Sequence, residues 1–210
     1  MTAPLRPGLP GLLLVAVGCG GKGAEADTRL GEVVAERAGE TASVEARSVW
    51  SWSAGGVATL LLSANPDATC ADAAAAMGLV TGDWSPELVI PPGTCSVFVT
   101  ARYDGGPYTD EARADAPTTD STVTLNCAMD TGSWLPSGDG YEYDGSYWIG
   151  SPRAYTLGLD GVEALGWSLS ADDHDGNFLY ESMDDAPASG HLEGAGTAAA
   201  CPDMAGTIFY

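Results

Sequence analysis

Several groups of residues in this 210-residue chain have the types and spacing to do chemistry. The first is aromatic. Trp134, Tyr141, Tyr143, Tyr147, Trp148 and Tyr155 crowd together, interleaved with Asp139, Glu142 and Asp144. Flat ring faces stack on sugar rings while neighbouring carboxylates accept hydrogen bonds from sugar hydroxyls, so residues 134–155 form a candidate carbohydrate-binding surface. The competing expectation is that these rings cover one end of a core, as strand aromatics do. The second group is Asp172-Asp173-His174-Asp175-Gly176-Asn177. Alternating oxygen donors at Asp173, Asp175 and Asn177 resemble a calcium loop, although the Gly and the late bidentate Glu of an EF-hand are out of place. Asp-rich turns also arise simply because Asp tolerates turn geometry.

Catalytic patterns are sparse. His174 and His191 are the only histidines, and neither a GxSxG nor an HExxH motif accompanies them, so no catalytic residue is assigned. With 29 acids, chance carboxylate pairs are inevitable, which keeps a secreted hydrolase as an alternative. No motif implies a cofactor beyond a possible Ca2+ at Asp173, Asp175 and Asn177. The formal net charge of -21 argues against nucleic acid as a partner, because such a surface repels phosphate backbones. It suits either solubility outside the cell or the binding of divalent cations.

The amino terminus holds the most specific motif. One cation, Arg6, precedes an apolar run from Leu9 to Val17. That run is far shorter than the roughly 20 residues needed to span a bilayer, and it matches the apolar core of a secretory signal. Ala16-Val17-Gly18-Cys19 then resembles the lipobox of bacterial membrane lipoproteins, with Ala16 standing where Leu is more usual. The resemblance implies a diacylglyceryl group on the Cys19 thiol and cleavage before it. Residues 1–18 would be the lipoprotein signal peptide, 19–42 a lipid-anchored tether, and 43–210 a β-rich extracytoplasmic domain of the cell envelope. The alternative is an ordinary secretory signal followed by an incidental Cys, and export follows either way.

Setting Cys19 aside leaves Cys70, Cys95, Cys127 and Cys201, an even set for an oxidising compartment. No CxxC spacing is present, so zinc or thioredoxin-like chemistry is disfavoured. Three pairings are possible. CSVFVTARY and STVTLNC both alternate, and pairing them as antiparallel strands brings Cys95 beside Cys127 with both facing inward. That leaves Cys70 with Cys201.

Stepping outward, the elements that must hold these groups read as β. Candidate strands are 44–52, 57–63, 86–91, 95–103, 121–127, 141–143, 147–149, 153–159, 163–170, 177–183, 191–197 and 206–210, separated by turn-forming residues. Asp144-Gly145 and Asp175-Gly176 are the sharpest hairpin signals, the first setting Tyr141 across from Trp148. TRLGEVVAERAGE suggests a helical turn or two, 70–78 a short helix capped by Gly78, and 104–120 a long acidic loop. The expected fold is all-β: a single β-sandwich or barrel-like domain of short antiparallel strands with two disulfides. The segments LLLSANPDATC and SGHLEGAGTAAAC resemble uncharacterised disulfide-containing lipoproteins, in which an early Leu-rich strand ending in Cys joins a late Gly-rich one. The functional expectation is a cell-envelope lipoprotein, membrane-held by its lipid, with a binding or display role toward a glycan or an envelope protein.

Overall fold

The computed structural model describes residues 28–35, 40–76, 89–113, 115–116, 120–128, 134–137, 140–143, 147–161, 164–180 and 188–204. In chain order the elements are β1 (Thr28–Ala35), β2 (Glu40–Ala46), β3 (Ser48–Ala54), β4 (Val57–Ser63), α1 (Cys70–Ala76), β5 (Thr94–Arg102) and β6 (Tyr108–Ala112). There follow β7 (Ser121–Ala128), β8 (Trp134–Ser137), β9 (Gly140–Tyr143), β10 (Tyr147–Pro152), β11 (Tyr155–Asp160), β12 (Ala164–Tyr180), β13 (Ala188–Ala200) and a 3-10 turn, Pro202–Met204. The fold is nearly all β, as expected.

Eleven strands share one sheet in the order β2-β1-β13-β3-β4-β5-β7-β10-β12-β11-β6, while β8 and β9 form a separate ribbon. Further pairings of β2 with β5 and of β12 with β13 close the sheet on itself, leaving β6 paired along one edge only, with β11. Closure works because long strands change neighbour along their length. One edge of β13 follows β12, and the other pairs first with β1 and then, in parallel, with β3 at Trp50 and Ser51. The same device recurs on β5, whose second edge pairs in parallel with β2 at Thr94 and Cys95 and then antiparallel with β4. The sheet is therefore mixed, where only antiparallel pairing was expected.

Alternation sends one face of each strand into the barrel. Leu60 and Leu62 of β4, Val97 and Val99 of β5, Val123 and Leu125 of β7, and Leu157 of β11 meet there, all buried. Trp167 of β12 fills the space beside Gly194 and Gly196 of β13. A Cβ on Gly196 would lie 3.3 Å from the indole, and one on Gly194 would lie 2.0 Å from Leu30. The bare backbone of β13 is thus what admits the largest ring of the inner core.

β3, β4 and β5 are buried on their outer face as well. Trp50, Trp52 and Leu61 pack with Ala68, Cys70, Ala73, Val89, Ile90, Cys201 and Met204 in a second core outside the barrel. Two-sided burial explains why VWSW and TLLLS are nearly continuous in apolar residues. The cover is tied down locally. Thr69 and Asp72 cap α1 reciprocally, the Thr69 N–H donating to the Asp72 carboxylate at 2.8 Å and the Asp72 N–H to the Thr69 hydroxyl at 3.2 Å. The Trp50 indole N–H donates to the Ala68 carbonyl at 3.2 Å, and the Ser63 hydroxyl to the Val89 carbonyl at 2.7 Å.

Several sequence expectations are corrected. Residues 28–35 are strand, not helical turn, and the sheet takes in part of the stretch assigned to a tether, so the β-domain begins before residue 43. The register of β1 against β2 shifts between Arg29 and Gly31, and this bulge brings Leu30 and Val33 into the same core. A spacing of three looks helical in sequence, but here it comes from one inserted residue. The acidic loop 104–120 contains β6, paired with β11. Asp175-Gly176 is no hairpin: β12 runs through it, with a register shift against β13 between Asp173 and Phe178. The span 44–52 takes in parts of two strands, and Val89 and Ile90 are buried cover, not strand. Gly78 and 206–210 lie outside the described residues.

Candidate functional site

The structure settles the cysteine question. Cys95 and Cys127 are opposite each other in the β5–β7 ladder and bonded, both fully buried on the inner face. Cys70, the first residue of α1, is bonded to Cys201, just past β13, in the outer core. Both pairings agree with the strand reading. Two bridges in one fold indicate an oxidising, extracytoplasmic environment. Cys19 lies outside the described residues, and no helix among those described is long and apolar enough to cross a membrane.

The aromatic stretch does not assemble as the sequence suggested. β9 pairs with β8, setting Trp134 across from Tyr143 and Tyr141 across from Pro136. β10 pairs with β7, setting Tyr147 across from Ala128 and Trp148 across from Cys127. Tyr141 and Trp148 are therefore not cross-strand partners. Asp144 and Gly145, and the side chains of these five aromatics, lie outside what is described. Tyr155 is buried, its hydroxyl donating to the Ser121 carbonyl at 2.9 Å. The candidate calcium ligands Asp173, Asp175 and Asn177 sit on β12 instead of in a loop, so the turn that would wrap them round an ion is absent there. Their side chains are likewise outside the description, and no metal-binding group occurs among the described residues.

A cleft that the sequence reading missed lies at one mouth of the barrel. It has a volume of about 390 Å³. Four chain segments build it: the end of β3 and its turn into β4, with Trp52, Ser53 and Gly56; Tyr103 and Asp104 just past β5; the β11–β12 turn with Gly161; and Cys201 just past β13. Its walls join the two cores, since Ala58 and Leu165 belong to the inner one and Trp52 and Cys201 to the outer. Gly56 and Gly161 adopt φ of 81° and 89°, so side chains other than glycine are disfavoured at the rim and the backbone stays bare.

The cleft is held from both sides. Tyr103 donates its hydroxyl to the Gly161 carbonyl at 2.8 Å, bridging β5 to the β11–β12 turn. The Cys201 N–H donates to the Ser51 carbonyl at 2.7 Å, fixing the end of β13 to β3. Burial raises the Tyr103 hydroxyl above its ordinary pKa, and the charges of Asp160 and Asp104 push in the same direction. Among the described residues that line the cleft there is no Lys or Arg, and Asp104 is the one carboxylate. A facing pair of acids, as two-carboxylate hydrolysis uses, is not present among those described residues. In sequence, the signals were Gly55-Gly56 between two strands and Gly105-Gly106 directly after Tyr103-Asp104.

Away from the cleft, β6 approaches β7 through side chains. Ser121 donates to the Asp110 carboxylate at 2.6 Å, and the Tyr108 hydroxyl donates to the same carboxylate at 3.1 Å. Burial, with the charge and hydrogen bond of Asp110, pushes the Tyr108 pKa up to about 12. Comparison with family descriptions, curated proteins and solved structures returns no match to this chain.

Proposed function

We propose that this chain is a lipid-anchored cell-envelope protein that binds a small ligand in the cleft at the barrel mouth. The observation behind it is a cysteine count resolved by pairing. Five cysteines less the four in the two bridges leaves Cys19 alone, directly after the apolar run and the small residues Ala16 to Gly18. A thiol held outside every bridge in an oxidising compartment is well explained by acylation. Lipid chains contribute about 0.8 kcal/mol per buried methylene, so two or more on one residue give a firm anchor. The binding role is supported by a preformed cleft within the usual size range of ligand pockets, braced by hydrogen bonds and a disulfide. The test is detergent-phase partition of the protein made in a bacterial host. Wild type is expected in the detergent phase and Cys19→Ser in the aqueous phase; equal partition of the two would refute anchoring at this residue.

A second reading is a carbohydrate-binding surface on the β8–β9 ribbon. It is favoured by the direct register of Trp134 with Tyr143 on a ribbon separate from the main sheet, and by the exposure of the adjoining Leu135 (48%). Glycan binding lost in Trp134→Ala but kept in Trp52→Phe would select this ribbon over the cleft.

A further inference from the structure

We infer that the barrel-mouth cleft selects a small organic cation, an alkylammonium group with a compact apolar body; this rests on the cleft being the binding site proposed above. Three features point the same way. The lining is mostly small and apolar, from Ala54 and Ala58 to Leu165 and Ala200, so it has few fixed donors for a polyol. Two aromatic residues, Trp52 and Tyr103, line it, and ring faces attract cations most strongly where water is excluded. Among the described residues the charge at the mouth has one sign. Asp104 lines the cleft, Asp160 ends β11 immediately before the lining residue Gly161, and both act on Tyr103.

The guanidinium directly before Tyr103 in the chain faces elsewhere. Arg102 is exposed and lies 3.7 Å from Asp120, on the opposite face of β5 from the inward-pointing Ala101. The net charge of -21 adds a long-range field that gathers cations and turns anions away. The Tyr103 hydroxyl already donates to Gly161, so its proton is spent and its oxygen keeps the partial negative charge of an acceptor. A cation, not an anion, fits such a site.

Three probes of one shape separate charge from volume: choline, its neutral isostere 3,3-dimethylbutan-1-ol, and the anion 3,3-dimethylbutanoate. Each is titrated into the full oxidised chain in neutral detergent while the amide signals of Gly56, Gly105 and Gly161 are followed by NMR. Choline is expected to bind about tenfold more tightly than the alcohol, with no binding of the anion. Asp104→Asn keeps an acceptor for the Gly106 N–H, which sits 3.3 Å from the carboxylate, and removes only the charge. It should weaken choline about fivefold and leave the alcohol unchanged. Ser53→Trp, at an exposed lining position, should block all binding with the amide spectrum otherwise intact. Equal affinity for choline and the alcohol, or tighter binding of the anion, overturns the cation inference and leaves the cleft a ligand site. Choline binding that survives Ser53→Trp, or no response of the three glycines to any probe, overturns the inference and the binding role of the cleft together. Detergent partition through Cys19 is unaffected by either result.

Discussion

The inner and outer cores of this protein are closed by different means. The barrel interior is bounded by continuous ladders, and its disulfide, Cys95–Cys127, links residues that the β5–β7 register already sets face to face. Among the described residues, the outer core lies under α1, the Val89–Pro91 segment and the 3-10 turn Pro202–Met204, and its disulfide joins residues 131 positions apart. One bridge reinforces a ladder, while the other ties down described cover elements that no ladder joins to one another. A two-face-buried sheet therefore needs more than apolar residues on its second side; it needs something to hold the lid.

The largest effect should come from removing that hold. Cys70→Ala with Cys201→Ala opens a 131-residue loop, worth up to about 5 kcal/mol by chain entropy. Urea unfolding should show an early transition with red-shifted tryptophan emission as Trp50 and Trp52 meet water, before strand signal is lost. Cys95→Ala with Cys127→Ala opens a shorter loop and should cost up to about 4 kcal/mol, with fluorescence and circular dichroism falling together. If both pairs of variants unfold in the same manner, the distinction between the two cores collapses. Trp167→Ala sharpens it from the inside. The indole is the filling beside Gly194 and Gly196, so its loss should cost about 3–5 kcal/mol without any early opening of the outer cover.

A smaller effect is expected at the β6–β7 approach. Tyr108 ionises at about 12 in the folded protein against 10.0 when free, and burial also raises Tyr155. The unfolded chain therefore loses these protons first. The stabilising contribution is complete below pH 10 and is lost as pH rises from 10 to about 12. Urea midpoints measured across that range should fall, and Tyr108→Phe should flatten part of the fall. An unchanged slope in Tyr108→Phe would place the alkaline sensitivity elsewhere.

Where side chains alternate cleanly, the fold was legible in advance. Val97 and Val99 against Val123 and Leu125 define both the β5–β7 pairing and the inner disulfide, because period two allows one inward face. Legibility failed where backbone irregularity changes the period. The bulge at Arg29–Gly31 made β1 look helical, and the shift between Asp173 and Phe178 turned a hairpin signal into the middle of a strand. β6 was hidden for a different reason: Tyr108, Asp110 and Ala112 make a half-polar strand whose carboxylate accepts hydrogen bonds from Ser121 and Tyr108. The cleft was invisible because Trp52, Tyr103, Gly161 and Cys201 are brought together only by closure of the barrel, and no local spacing records that.

A lipid-anchored, exported protein of this sequence carries an acylated Cys19 while its other four cysteines are bridged. Intact and peptide mass spectrometry of the protein isolated without reductant from bacterial membranes tests this directly. The expected result is a chain beginning at an acylated Cys19, with Cys70 linked to Cys201 and Cys95 to Cys127. A chain retaining residues 1–18, with an unmodified Cys19 and free thiols at the other four positions, would contradict it.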